Sequence, residues 1–282
     1  MAQHRALRDV LRFPADGDLT AFDPGAKVLA PGGKKKTGRA IESVTGPALA
    51  SLQERLFAQT TAGGTGRVLL VLQGMDTAGK GGVVKHVVGL LGPEGTNVRA
   101  FKKPTAQELS HSFLWRIRRA LPAAGQVGVF DRSHYEDVLV VAVHKTIDQA
   151  QTEKRYAQIN KFEADLVADG TTIVKCFLHI SFEAQRERLL ARLDNPDKHW
   201  KFNEADIDER QLWPDYQQAY LNALRATSTD AAPWFVIPSD RKWYRNWAVG
   251  ELLRETMTGL GLEYPQLDLD VDRLRKRLAP PN

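Results

Sequence analysis

VLLVLQGMDTAGKGG, residues 68–82, joins an apolar run to a glycine-rich turn, and this stretch decides the fold of the chain. The Val and Leu run predicts a buried strand, and apolar residues recur at helical spacing over residues 83–91. Gly74, Gly79 and Lys80 match the phosphate-loop spacing G-x-x-x-x-G-K. In such a loop the backbone N–H groups converge on a phosphate, to which Lys80 would add a positive charge. A glycine-rich turn can match this spacing by chance, but the strand before it and the helix after it favour phosphate binding.

The loop departs from the usual pattern at one position. Gly81 follows Lys80, where the usual loop has a Ser or Thr hydroxyl that holds magnesium. The turn instead carries a carboxylate, Asp76, which can hold Mg²⁺ directly or orient a phosphate through a metal-bound water. The sequence therefore predicts Mg²⁺ as a cofactor, with Asp76 as a ligand.

The composition bounds the class of protein. A chain of 282 residues with 43% hydrophobic residues is long enough for one large α/β domain or two small ones with a sizeable core. Its single cysteine, Cys176, excludes an internal disulfide and fits a reducing compartment. The sequence has no apolar stretch long enough to span a bilayer, and residues 1–13 are too charged for a secretory signal, so we expect a cytoplasmic protein. The net charge of +5 and pI of about 9.3 favour a polyanionic partner.

A second apolar run, residues 127–130, predicts another strand of the sheet, and it ends in Asp131-Arg132. An acidic residue at the end of such a strand is the usual partner of a phosphate loop and binds magnesium. The fork-shaped guanidinium of Arg132 suits phosphate oxygens. Glu136 follows one helical turn later and is a candidate for acceptor selection, with a role at a helix N-terminus as the alternative. His134 is better explained as a satisfied helix-terminal residue than as a catalytic base.

Residues 97–120 form a basic segment in which Glu108 is the sole acid. Residues 97–101 predict a strand, and Lys102 and Lys103 leave its C-terminal end, where ligands bind in open α/β sheets. A helix is predicted next, with four apolar residues at helical spacing as its core face: Leu109, Phe113, Ile117 and Leu121. Arg116 and Arg119 lie on a neighbouring face. The segment is a candidate polyanion channel, and an ordinary basic surface helix is the alternative.

A candidate lid covers residues 192–215. Ser181 is expected to cap a helix that runs to Leu193 with an apolar stripe at Phe182, Leu189, Leu190 and Leu193. Arg188 and Arg192 share one face of this helix, and an anion between them would compensate their repulsion. A basic and aromatic bend with Lys198 and Lys201 then resembles a lid that closes over phosphates, with a solvated turn as the alternative.

The remaining segments complete a single domain over residues 1–282, with neither an internal repeat nor a linker. Residues 1–45 are expected to be a loop-like N-terminal extension with one short helix near residues 5–13, and residues 263–282 a C-terminal tail. Further helices are predicted over residues 46–60, 150–169, 216–224 and 240–262, and further strands over residues 172–180 and 234–238.

In their residues and in their order along the chain, these motifs resemble the second family of polyphosphate kinases over roughly residues 45–262. The segments that carry the resemblance are residues 74–82, 101–105, 130–140 and 192–202. It implies an α/β, three-layer αβα P-loop kinase fold like that of thymidylate kinases, with a parallel sheet and a helical lid. It also implies Mg²⁺-dependent transfer of a terminal phosphoryl group between inorganic polyphosphate and a nucleotide. Residues 135–140 look more like the class that accepts both AMP and ADP, although Asp131 stands where members of that class often carry Asn.

The resulting mechanism assigns a role to each candidate residue. The catalytic group is Asp76, Lys80, Asp131, Arg132 and Arg192, of which Asp76 and Asp131 would hold Mg²⁺. The groups that would bind phosphate or polyphosphate are Gly74, Gly79, Gly81, Lys102, Lys103, Arg116, Arg119, Arg188, Lys198 and Lys201. Glu136 would bear on the choice of acceptor, with guanine nucleotides as further candidate acceptors.

Two other functions share part of this evidence. An ATP-dependent nucleoside or nucleotide kinase would use the same phosphate loop but would need Lys102 and Lys103 little. A non-catalytic polyanion or nucleic-acid binder would use the basic segment, but Asp76 and Asp131 would repel a nucleic-acid backbone, and no aromatic ladder accompanies the basic residues. The expected partners are therefore inorganic polyphosphate, nucleoside mono- or diphosphates and further copies of this chain in a dimer or tetramer, but neither nucleic acid nor a membrane.

Overall fold

The computed structural model describes residues 5–279, which are built around a five-stranded sheet. Its strands are β1 Arg67–Gln73, β2 Thr96–Ala100, β3 Val127–Asp131, β4 Thr171–His179 and β5 Trp234–Pro238. They lie in the order β2-β3-β1-β4-β5, and every neighbouring pair is parallel. The central strand β1 is a continuous run of Val and Leu because a parallel sheet is covered on both faces.

Helices connect the strands and cover the sheet. They are α1 Leu7–Leu11, α2 Lys34–Ala40, α3 Gly46–Ala58, α4 Lys80–His86, α5 Ala106–Leu109, α6 Trp115–Arg118, α7 Glu136–Val143, α8 Gln149–Ala168, α9 Phe182–Leu193, α10 Ala205–Gln211, α11 Trp213–Thr227, α12 Lys242–Thr258 and α13 Val271–Leu278. One group packs α12 against α1, α2, α3 and α4, and a second packs α7, α8 and α11 together. The predicted α/β fold, a parallel sheet between helices, is confirmed.

The order of the strands brings the candidate site together. Leu72 pairs with Asp131 across β1 and β3, so the turn after β1 lies beside Asp131-Arg132. On the other side of β1, Gln73 pairs with Phe177 of β4, whose C-terminal end leads into α9. Ligands of open α/β sheets bind at these carboxyl ends. The fold thus places the glycine-rich turn, the Asp131-Arg132 pair and the base of the lid at the carboxyl ends of the strands, along one edge of the sheet.

The N-terminal segment differs from the expected loop-like extension. Leu7, Leu11 and Phe13 are buried to within 2% exposure and belong to the main core. The N–H of Phe13 donates to the carbonyl of Trp234, so this segment extends along β5, the edge strand. The three lysines at 34–36 begin α2 rather than lie in a loop. Residues 1–4 lie outside the described residues.

The continuous helix predicted from the spacing of Leu109, Phe113, Ile117 and Leu121 is wrong in its continuity. Two short helices, α5 and α6, replace it, and the bend between them leaves Leu109 70% exposed while Ile117 is fully buried. Thr105 and Glu108 form a reciprocal capping box that starts α5. Each of these two helices has only four residues, or about one turn. An apolar stripe at helical spacing needs at least two turns of one continuous helix, so neither helix can present the predicted stripe.

The helix before the lid is only partly as predicted. Ser181 Oγ accepts from the N–H of Ala184, which confirms the cap. Leu189 is 6% exposed, but Phe182, Leu190 and Leu193 each remain about half exposed, so the predicted apolar stripe is wrong at these three positions. The predicted tail contains α13, whose apolar residues Val271 and Leu278 are also exposed.

Candidate active site

The glycine-rich turn after β1 closes on its own lysine. Lys80 is 9% exposed, and its Nζ donates to the carbonyl of Gly74 at 2.6 Å and to that of Met75 at 3.4 Å. Gly74 has a φ of +153°, and a Cβ there would lie 2.8 Å from the carbonyl oxygen of Leu178, so glycine is required. Thr77 also has a positive φ, of 64°, which is unusual for a β-branched residue. This strained turn holds the ammonium group of Lys80 against the carbonyls of the loop itself.

Side chains of α9 hold the turn from outside. Arg188 Nη1 donates to the carbonyls of Thr77 at 2.8 Å and Ala78 at 3.1 Å, and Nη2 donates to the carbonyls of Ser239 and Asp240. Gln185 donates to the carbonyl of Asp76 at 3.1 Å. Arg188 therefore ties the phosphate loop to the segment after β5.

A cleft of about 270 Å³ opens between the turn, α7 and the lid. Arg132 Nη2 lies 3.1 Å from Asp76 Oδ1 across this cleft. Burial opposes ionisation of Asp76, but Lys80 and Arg132 outweigh it and hold the pKa of this carboxyl below its ordinary value. Asp76 is thus a carboxylate in the cleft, with its charge shared between two cations.

Glu136 faces the same cleft from the first turn of α7. Burial raises the pKa of Glu136 above its ordinary value, and Arg132 and Lys80 oppose that rise. With the amide nitrogen of Gln73 directed at Glu136 Oε1, at 3.0 Å, its amide oxygen accepts from Ser133. Arg132 has a φ of +63°, so the chain turns sharply between β3 and this helix. These contacts fix Arg132 and Glu136 on one wall.

Asp131 lies beside the cleft at the end of β3, half-buried. Burial lowers the pKa of Arg132, but Glu136, Asp76 and Asp131 outweigh that effect and raise it overall. The cleft itself is lined by Asp76, Lys80, Arg132 and Glu136 together with further lid and helix residues, and Asp131 stands next to this group. The structure therefore brings four charged residues of the sequence prediction together in the cleft, and the fifth, Asp131, lies next to them.

The lid closes the cleft through ion pairs and hydrogen bonds. Arg192 Nη1 donates to the carbonyl of Lys201 at 3.0 Å and lies 3.3 Å from Asp206 Oδ2. Glu209 accepts from the hydroxyl of Tyr216, and its other oxygen lies 2.9 Å from His144 Nε2. Lys198 and Lys201, in the bend of the lid, are exposed.

Sequence reasoning missed the acidic residues of the lid. Asp206 and Glu209 line the cleft, as do Arg210, Tyr216 and Tyr220. Burial raises the pKa of Asp206 and the nearby charge of Asp76 raises it further, while Arg192 lowers it. The sequence signal for these residues was the acidic stretch after residue 203, a pattern that is also typical of a solvated helix face.

The basic segment forms a second, polar pocket of about 320 Å³ at the edge of the sheet. Arg116 is 8% exposed, donates to the carbonyl of Lys102 at 2.9 Å and pairs with Asp137 at 3.3 Å. Arg119 is exposed, with its guanidinium 5.0 Å from the centre of the Trp115 ring. Lys102 and Lys103 are exposed. Arg116 thus connects this pocket to the base of α7, and Arg119 forms its outer wall.

Two features of the described residues bear on metal binding and on membrane association. Residues 5–279 contain no cluster of three or more His, Cys, Asp or Glu side chains that could hold a metal ion unaided. Magnesium in phosphoryl-transfer sites is typically held by one or two carboxylates together with substrate phosphates, and Asp76 in the cleft fits that mode. None of the helices within this range has the length and apolar character needed to cross a membrane. The cytoplasmic location stays a prediction.

Comparison with known proteins adds independent findings. The family model described as Polyphosphate kinase 2 matches residues 34–261. The chain is 47% identical over 257 residues to the AMP/ADP-polyphosphate phosphotransferase of Meiothermus ruber, covering 90% of this chain and 94% of that protein. It is 45% identical over 230 residues to the ADP-polyphosphate phosphotransferase of Rhodopseudomonas palustris, covering 77% and 78%. Its structure is similar to the crystal structure of polyphosphate kinase 2 from Arthrobacter aurescens TC1, with a TM-score of 0.94 and 48% identity over 97% of this chain and 96% of that chain.

Proposed function

Because the chain belongs to the polyphosphate kinase 2 family, we propose that it transfers a terminal phosphoryl group between inorganic polyphosphate and nucleotides. The observation that carries the proposal is the cleft at the end of β1, where Lys80, Asp76 and Arg132 converge under a lid. Phosphoryl transfer needs positioning and charge neutralisation more than covalent help from the protein, and this cleft supplies both.

Each cleft residue has a role in this reaction. Lys80 and the loop amides, around Gly74, Gly79 and Gly81, bind the phosphates that flank the transferred group. Arg132 neutralises charge that develops on that group; in phosphoryl transfer such an arginine contributes roughly 3 to 5 powers of ten in rate. Arg192 would add a second guanidinium if a phosphate oxygen replaced Asp206 as its partner, since it lies 3.3 Å from Asp206, which lines the cleft.

Mg²⁺ is part of the proposal. Asp76 is the carboxylate that would hold it. Asp131, next to Arg132 at the end of β3, would be a second ligand. When bound, the metal would neutralise charge on the phosphates. Asp76 fits because its pKa is held low, so the ligand is ionised at neutral pH without the metal.

We infer that both AMP and ADP serve as acceptors. The motif at residues 135–140 supports this, as does the name of the 47% identical relative, an AMP/ADP-polyphosphate phosphotransferase. Glu136 is the charged residue of this motif that lines the cleft, beside Leu139 and Val140. Its replacement should change the ratio in which the two acceptors are used.

The test is to incubate the protein with polyphosphate and Mg²⁺, offer AMP, ADP, GMP and GDP in turn, and resolve the products by chromatography. Formation of the next higher nucleotide supports the proposal. Transfer from ATP but not from polyphosphate would instead support the nucleotide-kinase alternative. Binding of polyphosphate with no transfer to any of the four acceptors would leave the polyanion-binding alternative.

The basic segment is the proposed channel for the polyphosphate chain. Lys102 and Lys103 are exposed at the end of β2, and Arg119 borders the adjacent pocket. Replacing both lysines by Ala should raise the KM for long polyphosphate more than the KM for the nucleotide, and the loss should shrink for short chains. Equal effects on both substrates at both chain lengths would overturn the channel assignment.

We also propose a homo-oligomer. Residues 97–100 of the edge strand β2 are exposed, and Val98 is 44% exposed there. An uncovered edge strand is a surface that proteins usually protect, and a second copy of the chain would cover it. Light scattering after gel filtration tests this, and a monomeric mass would overturn it.

A further inference from the structure

Arg245 of α12 is a buried arginine that reaches the back of the phosphate loop. It is 3% exposed, and its Nη1 donates to the carbonyl of Ala78 at 3.0 Å. Its Nε and Nη2 donate to the side-chain oxygen of Asn246 at 3.2 and 2.8 Å. These acceptors are neutral, so within residues 5–279 its hydrogen bonds provide no negative charge. A buried guanidinium of this kind requires an explanation, because buried charges are normally paired.

The guanidinium lies directly against two glycines of the loop region. A Cβ at Gly79 would lie 1.7 Å from Arg245 Nη1, and a Cβ at Gly82 would lie 2.5 Å from Nη2. A Cβ at Gly81, between them, would meet nothing within 4 Å. Gly79 and Gly82 are therefore the positions at which any side chain would displace Arg245. The glycines after the loop serve the packing of this arginine as well as the turn.

The charge of Arg245 is unfavourable in the protein alone. Burial lowers the pKa of Arg245 to about 9, and repulsion from Arg188 contributes to the shift. The side chain remains charged at neutral pH, at a cost in folding stability. Arg188 and Arg245 both hold carbonyls of the loop, so two cations stand behind the turn while its amides face the phosphate position. An anion in the loop is the natural counter-ion for them.

We propose that Arg245 is a positioning residue for phosphoryl transfer, which holds the Ala78 carbonyl on the outer side of the loop and supplies a fixed positive charge behind the bound phosphates. It acts through the loop, because Gly79 and Gly82 stand between it and the substrate side. The inference rests on the proposed function for the identity of the polyanion. It adds a residue from the far end of the chain to the phosphate site.

The test compares Arg245→Gln, which removes the charge, with Arg245→Lys, which keeps the charge but loses the forked donor. Arg254→Gln is the control on the same helix, since Arg254 pairs with Glu251 by 2.5 Å and does not contact the loop. Tripolyphosphate is the probe, its Kd is measured by calorimetry in the presence of Mg²⁺, and kcat is measured with polyphosphate and ADP. Thermal denaturation without the probe reports folding.

We expect Arg245→Gln to weaken tripolyphosphate binding by about tenfold, the effect of one charge pair partly screened by the protein. Arg245→Lys should bind within about threefold of wild type but show a lower kcat, because the grip on Ala78 is lost. The control should change neither quantity by more than about twofold.

Unchanged affinity in folded Arg245→Gln would overturn the proposal, as would Arg245→Lys binding as weakly as Arg245→Gln. If Arg245→Gln does not fold, Arg245→Lys decides: near wild-type affinity with reduced kcat supports the proposal, and any other combination overturns it. Wild-type protein that binds tripolyphosphate but transfers no phosphoryl group would refute the proposed function alone. Wild-type protein that does not bind tripolyphosphate would refute both.

Discussion

Lys175→Met should destabilise the protein strongly, because it breaks an ion pair beneath the segment that carries Arg132 and Glu136. Lys175 is fully buried and Glu163 is 1% exposed. Lys175 Nζ lies 2.6 Å from Glu163 Oε2 and donates to the hydroxyl of Tyr135 at 2.9 Å and the carbonyl of Thr227 at 2.8 Å. Removing the amine leaves Glu163 as a buried carboxylate without its cation. We expect a loss of about 3–5 kcal/mol in the free energy of unfolding.

The double variant Lys175→Met/Glu163→Leu removes both charges and so measures the net contribution of the ion pair to stability. Burial opposes ionisation of Glu163, but Lys175 and His134 outweigh it and lower its pKa, whereas burial lowers the pKa of Lys175 more than Glu163 raises it. The first shift favours the ionised pair at neutral pH, and the second opposes it. The double variant should therefore be no less stable than Lys175→Met, with a coupling energy of at least about 2 kcal/mol.

Urea unfolding at pH 7 measures these free energies, with Lys161→Met as the matched control. Lys161 pairs with Asp165 on the same helix as Glu163, but the two side chains are 77% and 54% exposed, so its loss should cost at most about 1 kcal/mol. Because the folded pKa of Glu163 is lowered from 4.5, its contribution is present above pH 4.5 and is lost as the pH falls through the folded value. Strictly additive losses in the double variant would refute this reasoning.

Three further predictions concern the cleft. Lys80→Ala should lower kcat by roughly 10²–10³ with the fold intact, measured by transfer assay and circular dichroism; full activity in a folded variant would refute the phosphate-loop role. Asp76→Asn and Asp131→Asn should each lower activity and raise the Mg²⁺ concentration needed for half-maximal rate, and unchanged Mg²⁺ dependence in both would place the metal elsewhere. Glu136→Gln should shift the ratio of AMP to ADP use in a competition assay, whereas an unchanged ratio would leave Glu136 a role at the N-terminus of α7.

The strands and the phosphate loop could be predicted because their signals are local. Buried parallel strands are continuous apolar runs, and the strand predicted over residues 234–238 coincides with β5. The turn after β1 is defined by glycines at fixed offsets, which are visible without any knowledge of the fold. The helix predicted over residues 150–169 is likewise confirmed as α8, because a long helix repeats its apolar face several times.

Contacts between distant segments could not be predicted. Arg188 and Arg245 hold the loop from α9 and α12, and nothing in their neighbouring sequence distinguishes them from surface arginines. Phe13 follows a helix of five residues, and its burial depends on its hydrogen bond to β5. The capping box at Thr105, which starts α5, is a local signal that the apolar periodicity concealed.

The charges of the cleft explain why the acidic lid matters for a polyanionic substrate. Four carboxylates line the cleft, Asp76, Glu136, Asp206 and Glu209, against three cations, Lys80, Arg132 and Arg210. A phosphate chain entering this space meets carboxylates as well as cations, which agrees with the Mg²⁺ proposed above. Burial and Asp76 raise the pKa of Asp206, so its carboxylate is held in place chiefly by Arg192. A phosphate oxygen that competes with Asp206 for Arg192 would therefore act directly on the contact between α9 and α10.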